Sequence, residues 1–378
     1  MISDWLPLLC LLVYLGSTAT CLIAKSRPVY DLSVSRSRRL IIVALIVAPT
    51  FFYGFCLIAL RPFDAGNDTV RYIRTYGQLD GLQSAVAVGA QYYGNTEFLW
   101  WPLQSLMRPL LSPRGWLVAN YLLVFGFVGF YYKKAATALK IAPAIFAFVF
   151  LTFFLVYAGN VMRQALAVPI GALGLFFFVE RRYMASALLV LVATGLHWSA
   201  IVLFAVPVLS FQIFKRDWVY IFLPMLALSF SALSSTVVGD VVSALNIPGI
   251  SAKFMLYFSS GHESHVGVVW KTANFWICSI TSMLFLLAAK PSRFESVAVH
   301  KYTLLFISLV LFGINIPDFS ERYIPFLLLV LPVQVALTLE RFRAPVMLKN
   351  FAFVGFFLVL SALVVSADSS QYTLGYKL

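Results

Sequence analysis

Apolar residues run in long stretches along most of this chain, separated by short polar segments. Stretches of about 17 residues or more are long enough, at about 1.5 Å per helical residue, to cross a hydrocarbon core of about 30 Å. The ten stretches cover approximately residues 5–24, 40–60, 116–132, 141–158, 162–180, 218–236, 273–289, 301–316, 322–340 and 349–367. The pattern predicts an all-α polytopic membrane protein with about ten transmembrane helices.

Two other apolar segments are interrupted by polar residues. Residues 97–112 include Glu97, Arg108 and two prolines, and residues 184–214 are interrupted near His197. If neither segment crosses fully, 18 of the 28 basic residues fall in loops on one side, as the positive-inside rule requires of the cytoplasmic face. We therefore interpret 97–112 as a partly inserted or interfacial helix, and 184–214 as a broken re-entrant pair with His197 near its tip.

The composition agrees with a single membrane domain over residues 1–378. Of the 378 residues, 61% are hydrophobic and 11% are charged, compared with about 25% charged in a soluble protein. No polar stretch is long enough for a separate soluble domain, and the two sizeable external segments lie near 61–115 and 237–272. The net charge of +13 is explained by the loops on the inner face, so we expect no nucleic-acid partner.

We also expect neither a metal nor another cofactor. The four cysteines form no C-x-x-C pair, and His262-Glu263-Ser264-His265 lacks the H-E-x-x-H spacing of zinc enzymes.

The richest external polar cluster lies at residues 64–76. The Gly66-Asn67 pair predicts a turn, and Asp68 is placed to cap the helix that follows. We expect Arg71 and Tyr72 one turn further along the same face, with Arg74 beyond them. The alternative interpretation is an ordinary amphipathic helix lying on the membrane surface.

A second cluster, Asn160, Arg163 and Gln164, lies between two predicted spans with almost no loop. Arg163 must therefore lie at or just inside the interface. The arginine could simply extend its charge to water, but Asn160 and Gln164 supply polar partners one turn apart.

The remaining polar candidates are His197 with Ser199, Glu97, and the Glu321-Arg322 pair. An ionisable group at membrane depth is a functional candidate by default. The simpler alternatives are a histidine hydrogen-bonded to a carbonyl and a charged pair that marks a helix end.

In this order along the chain, the clusters resemble the motifs of the EpsG family of polysaccharide polymerases, which are related in role to Wzy O-antigen polymerases. The resemblance covers about residues 60–325. The matching residues are Gly66, Asp68 and Tyr72; Glu97 with Phe98; Asn160, Arg163 and Gln164; and His197 with Ser199. The Trp100-Trp101-Pro102 run after Glu97 is bulkier than the family pattern.

The resemblance implies a multi-pass protein of the bacterial inner membrane with GT-C-like glycosyltransferase architecture and an active site facing the periplasm. Its donor and acceptor would be undecaprenyl-pyrophosphate-linked glycans held among membrane lipid, and a chain-length regulator would be its protein partner. The enzyme would transfer the glycan from undecaprenyl pyrophosphate to a sugar hydroxyl.

The residue types suit this reaction. A departing pyrophosphate needs fixed positive charge, and arginine supplies a permanent, bidentate one. The expected substrate-binding residues are Arg71, Tyr72, Arg74, Asn160, Arg163, Gln164 and Arg322. The attacking hydroxyl needs a base, and the expected catalytic residues are Asp68, Glu97, His197 and Glu321. Aromatic residues from Tyr92 to Trp101 would stack on sugar faces.

Three other functions use similar residues. A transporter or flippase of lipid-linked oligosaccharide would place charges along a midplane cavity, whereas the charges here gather at the outer rim and favour an enzyme. An O-antigen ligase and an acyltransferase would also use outer-face arginine and histidine, so both remain alternatives.

Overall fold

The computed structural model describes residues 48–93, 97–139, 155–210, 216, 218–245, 294–315, 317–349, 351–353 and 355–356. Every regular element in these residues is a helix. The predicted spans at 5–24 and 273–289, most of those at 141–158 and 349–367, and the His262–His265 motif lie outside the described residues.

The α-helices are α1 (Ala48–Gly54), α2 (Asn67–Gly77), α3 (Leu82–Tyr93), α4 (Trp100–Met107), α5 (Pro113–Leu139), α6 (Leu155–Asn160), α7 (Met162–Val179), α8 (Tyr183–Leu196), α9 (Val219–Ser229), α10 (Ser234–Leu245), α11 (Phe294–Phe312), α12 (Pro317–Glu321) and α13 (Ile324–Arg341). A π-helical segment, Phe55–Ala59, continues α1, and 3₁₀ helices occupy Trp198–Ser210 and Phe230–Leu233.

Two of the described helices, α5 with 27 residues and α7 with 18, are long and apolar enough to cross a membrane. They coincide with the predicted spans at 116–132 and 162–180. Shorter apolar helices follow at Tyr183–Leu196, Trp198–Val208, Val219–Leu233, Val297–Phe312 and Ile324–Leu339. The all-α prediction is confirmed for the described residues, while the count of ten spans stays a prediction.

Large apolar side chains cover the outer face of α8. Met184, Leu188 and Leu191 recur at helical spacing and are strongly exposed, with Met184 at 85%. Val190 and Ala193, on the opposite face of the same helix, are buried. A continuous exposed apolar stripe of this kind is compatible with contact to lipid.

The two ambiguous segments are helical but broken. In the first, α4 has only eight residues, about 12 Å of helix, so it cannot cross a bilayer core. In the second, α8 ends at Leu196, His197 is extended, and a 3₁₀ helix starts at Trp198 and packs back on α8. The break at His197 is therefore confirmed, and its re-entry into the membrane stays a prediction.

The described helices fall into two units, each built from separate parts of the chain. The first contains α1, α2, α5, α6, the start of α7 and the end of α13; the second contains α3, α4, α8 to α12 and the rest of α7 and α13. Because α7 and α13 belong partly to each unit, neither unit is a separate stretch of sequence. The single membrane domain remains a prediction.

In the first unit, aromatic side chains hold α1 and α2 against α5. Tyr76 of α2 stacks on Trp116 with ring centroids 4.9 Å apart, and its hydroxyl donates to the Leu111 carbonyl at 2.9 Å. Tyr121 of α5 donates to the Phe51 carbonyl of α1 at 2.7 Å. These contacts fix α2 at the beginning of α5, since Trp116 lies in the first turn of α5.

The predicted sidedness can be tested with single cysteines. In a background without the four native cysteines, Gln83→Cys on exposed α3 and Ser260→Cys should react with an impermeant maleimide added to intact spheroplasts. The control Arg343→Cys, in a predicted inner segment, should react only after lysis. Labelling of Gln83→Cys only after lysis would overturn the topology and the external location of the site.

Candidate functional site

Helix α2 presents one buried and one exposed face. Thr69, Tyr72 and Tyr76 are fully buried, whereas Arg71 and Arg74 are exposed. The prediction that Arg71 and Tyr72 share a face is therefore wrong, because consecutive residues of an α-helix point about 100° apart. Among the described residues, the Arg71 and Arg74 side chains make neither a hydrogen bond nor an ion pair.

Arg163 lies in the first turn of α7 and is 7% exposed. Its Nε donates to the Tyr72 hydroxyl at 2.9 Å, and its guanidinium lies 5.2 Å from the centre of the Tyr72 ring. A snorkelling arginine would instead extend along an apolar surface to water. The structure thus directs Arg163 into the protein, against α2.

A second hydrogen bond joins the same two parts of the chain. The Asp68 backbone N–H donates to Oδ1 of Asn160 at 3.2 Å, and Gln164 is buried on α7. Two motifs about 90 residues apart in sequence are therefore in contact, as the site prediction requires. We refer to Asp68, Tyr72, Asn160 and Arg163 as the Arg163 cluster.

Asp68 lies in the first turn of α2, where the helix dipole favours a carboxylate. The residue is half-buried. Within the part of the chain that the structure describes, its carboxylate forms neither a hydrogen bond nor an ion pair. A carboxylate can accept a proton from a substrate hydroxyl.

The second unit brings Glu97, His197 and Ser199 together, and we refer to them as the His197 cluster. The Ser199 hydroxyl lies 2.7 Å from Nδ1 of His197, and the Ser199 backbone N–H donates to the same nitrogen at 3.4 Å. Nδ1 is therefore an acceptor, which places the proton of neutral His197 on Nε2. Nε2 lies 3.8 Å from the Glu97 carboxylate. All three residues are buried.

The sequence analysis missed a polar contact beside the Arg163 cluster. Arg61 is buried, and its Nη2 donates to the Thr69 hydroxyl and to the Gly159 carbonyl. Thr69 Oγ1 also donates to Gly159 at 2.9 Å. The sequence did carry one signal, because Thr69 lies three residues before Tyr72 and so shares its buried face.

A model of the EpsG family matches residues 35–378, nearly the whole chain. The chain belongs to the EpsG family. EpsG is a family of Wzy-like polysaccharide polymerases that are membrane proteins. Membership supports a general role in polysaccharide polymerisation. Neither the curated proteins nor the solved structures that were searched gave a match. The family predicted from the sequence is thus confirmed.

Within this EpsG chain, the tryptophan pair after Glu97 does not serve the role expected of the aromatic segment. Trp100 and Trp101 are fully buried in α4, so neither is placed to stack on a sugar from the surface. Phe98 is half exposed and remains available for such a contact. Both large tryptophan side chains pack in the interior of the second unit.

Glu321 and Arg322 lie at the end of α12, which is held to α11. The Ser320 hydroxyl donates to the Val310 carbonyl at 2.9 Å, and the Phe319 ring lies 6.3 Å from that of Phe312. Glu321 is exposed and Arg322 is half-buried. Their participation in the EpsG reaction stays a prediction.

Gly195 allows α4 and α8 to meet at the His197 cluster. The Leu99 N–H donates to the Gly195 carbonyl at 2.9 Å, and a Cβ on Gly195 would lie 2.7 Å from the Leu99 side chain and 2.9 Å from Phe98. This tight contact anchors the segment that carries Glu97.

We expect Gly195→Ala to destabilise the protein by about 1–3 kcal/mol through overpacking, which thermal unfolding in detergent would measure. The matched control is Gly129→Ala, in the middle of α5, where an added Cβ meets nothing within 4 Å. Equal unfolding temperatures for the two variants would show that the contact can relax at little cost.

Proposed function

We propose that this EpsG-family protein is a glycosyltransferase that polymerises undecaprenyl-pyrophosphate-linked oligosaccharide repeat units at the periplasmic face of the bacterial inner membrane. The observation that supports the proposal best is the Arg163 cluster, in which a buried guanidinium is fixed at the start of an apolar helix long enough to span a membrane. A lipid pyrophosphate would meet this cation at the boundary between the membrane and the aqueous phase.

In the proposed reaction, a hydroxyl oxygen of the acceptor glycan attacks the anomeric carbon of the donor glycan. A glycosidic C–O bond forms, the bond from the anomeric carbon to the pyrophosphate oxygen breaks, and undecaprenyl pyrophosphate leaves with the bonding electrons. Negative charge therefore develops on the pyrophosphate. Preorganised positive charge at that position stabilises the transition state more than the ground state.

Arg163 is our candidate for this stabilisation. With its Nε held by the Tyr72 hydroxyl, the guanidinium has a fixed orientation in which its planar fork would bind pyrophosphate oxygens. The cation–π contact with the Tyr72 ring restricts the same group further. Arg71 and Arg74, exposed on α2, are proposed to contact more distant anionic or sugar groups.

Asp68 is our first candidate for the base that takes the proton of the attacking hydroxyl, because its backbone N–H is bonded to Asn160 and this places its carboxyl group beside the rest of the Arg163 cluster. His197 is the second candidate base. Its Nε2 faces the Glu97 carboxylate and its Nδ1 is bonded to Ser199, so the acceptor hydroxyl would displace the Ser199 hydroxyl from Nδ1 before His197 took its proton. Glu97 would then orient His197, and Ser199 would fix its tautomer.

The test is a reconstitution with defined substrates. Purified protein in liposomes, given only lipid-linked repeat units, should make ladders of regularly spaced products, and heat-inactivated protein should make none. Passage of the lipid-linked unit across the vesicle without chain growth would show a transporter instead. In separate reactions with a lipid acceptor of another class or an acyl donor added, glycan transfer only to that acceptor would show a ligase, and acyl transfer without chain growth would show an acyltransferase.

A further inference from the structure

Arg61 lies just after the π-helical segment that continues α1, and a second arginine holds its backbone there. Nη1 of Arg114, in the first turn of α5, donates to the carbonyl of Ala59 at 2.9 Å and to that of Arg61. The Arg114 guanidinium also lies 4.3 Å from the centre of the Phe63 ring. Burial, and secondarily the charge of Arg114, lower the pKa of Arg61 to about 10, which still leaves it charged at neutral pH.

The Arg61 side chain contacts two of the three helices that carry the Arg163 cluster. One nitrogen, Nη2, donates to Thr69 of α2 and to the Gly159 carbonyl of α6, and Thr69 donates to the same carbonyl. The three groups therefore tie α2 to α6 at a single point. Because Thr69 and Gly159 are both buried, water competes little for these bonds.

The position of this contact along the chain links it to the candidate site. Thr69 directly follows Asp68, and Gly159 directly precedes Asn160. The contact between Thr69 and Gly159 is therefore next to the Asp68–Asn160 hydrogen bond in both helices. Tyr72 and Arg163 lie one helical turn further along, three residues beyond Thr69 and four beyond Gly159. Helix α2 is thus joined to α6 through Thr69 and Asp68 and, one turn further along, to the start of α7 through Tyr72.

We propose that Arg61 and Thr69 are positioning residues that hold the Gly159 carbonyl and thereby set the geometry between Asp68 and Arg163. This inference rests on the proposed function, since it assigns that geometry to the polymerisation reaction. A displacement of about 1 Å between reacting groups can cost on the order of 10²-fold in rate. Loss of one of the several hydrogen bonds at this contact should lower the rate by a smaller factor.

The sharpest test uses Thr69, because Thr69→Val keeps the shape and removes the hydroxyl, whereas Thr69→Ser keeps the hydroxyl. We expect Thr69→Val to lower kcat on the order of tenfold with a smaller change in KM, and Thr69→Ser to restore most of it. Hydrogen exchange should rise in Thr69→Val at the Asp68 amide and its neighbours on α2, without a general increase elsewhere.

A matched control is Thr303→Val in α11. Thr303 is also fully buried and donates to a backbone carbonyl, that of Val299, at 2.9 Å. Its replacement should leave kcat, KM and exchange on α2 unchanged. A second variant, Arg61→Met, keeps much of the side-chain length but removes the donor to Thr69 and Gly159, and it should give the same pattern as Thr69→Val.

The outcomes separate the inference from the proposed function. Wild-type protein that makes no ladders would contradict the proposed function. Hydrogen exchange at the Asp68 amide would still show whether Thr69 and Arg61 hold α2 against α6. Normal exchange and normal kcat in Thr69→Val would overturn the inference. So would a loss of activity that merely follows the loss of folded, monodisperse protein and that Thr69→Ser shares.

Discussion

Replacing Arg163 by lysine should lower the rate of polymerisation by about 10²-fold while the protein still inserts and expresses. Lysine keeps the positive charge but offers one ammonium in place of the fork, and it cannot both donate to Tyr72 and engage two pyrophosphate oxygens. The measurement is the rate of ladder formation per amount of monodisperse protein. Tyr72→Phe, which keeps the ring and loses only the hydroxyl, should give a smaller loss.

The control for Arg163→Lys is Arg343→Lys, an exposed arginine of a predicted inner segment that belongs to neither cluster. It should polymerise at the wild-type rate. Wild-type activity in Arg163→Lys would mean that a charge alone suffices, and the assignment of Arg163 as a bidentate pyrophosphate ligand would be lost.

The long helices could be predicted from the sequence because their signal is local. The apolar runs at 116–132 and 162–180 contain enough information to place α5 and α7, although α5 extends to Pro113–Leu139. The break at His197 was equally visible, since polar residues interrupt an apolar run there. Boundaries depend on contacts with other helices, and these extend α5 beyond its apolar centre.

The contact between the Asp68 and Arg163 motifs could be expected only from the family resemblance, because it joins residues about 90 positions apart. Hydrophobic periodicity reports which face of one helix is buried, not which partner covers it. The misassigned face of Arg71 is a different failure, since the 3.6-residue period alone separates Arg71 from Tyr72.

Arg61 and the tryptophans show why residue type alone is a poor guide near the membrane surface. A basic residue at the end of an apolar run is usually a topology marker, yet Arg61 is buried against Thr69 and Gly159. Trp100 and Trp101 suggested a sugar platform and instead fill the interior of the second unit. In both cases tertiary packing decides the role, and no local pattern carries that information.

Asp68→Asn should reduce the rate of polymerisation by about 10²- to 10⁴-fold, the range contributed by a general base. The amide keeps the size and much of the hydrogen-bonding capacity of the side chain at the start of α2, but it cannot accept the proton of a sugar hydroxyl at neutral pH. The Asp68 backbone N–H to Asn160 is unaffected by the change, so the junction of α2 with α6 should persist.

A purely structural role for Asp68 predicts a different result. The predicted cap is not formed, since Asp68 lies inside the first turn of α2, where loss of its carboxylate costs about 0.3–1 kcal/mol through the helix dipole. This would lower the unfolding temperature of Asp68→Ala and leave the turnover of folded protein largely intact. Asp68→Asn, Asp68→Ala and His197→Ala should therefore be compared for both unfolding temperature and ladder formation. Normal ladders from Asp68→Asn with a strong loss in His197→Ala would transfer the role of base to the His197 cluster. Activity in both would exclude Asp68 and His197 as the base and leave Glu97 and Glu321 as the predicted residues still to be tested.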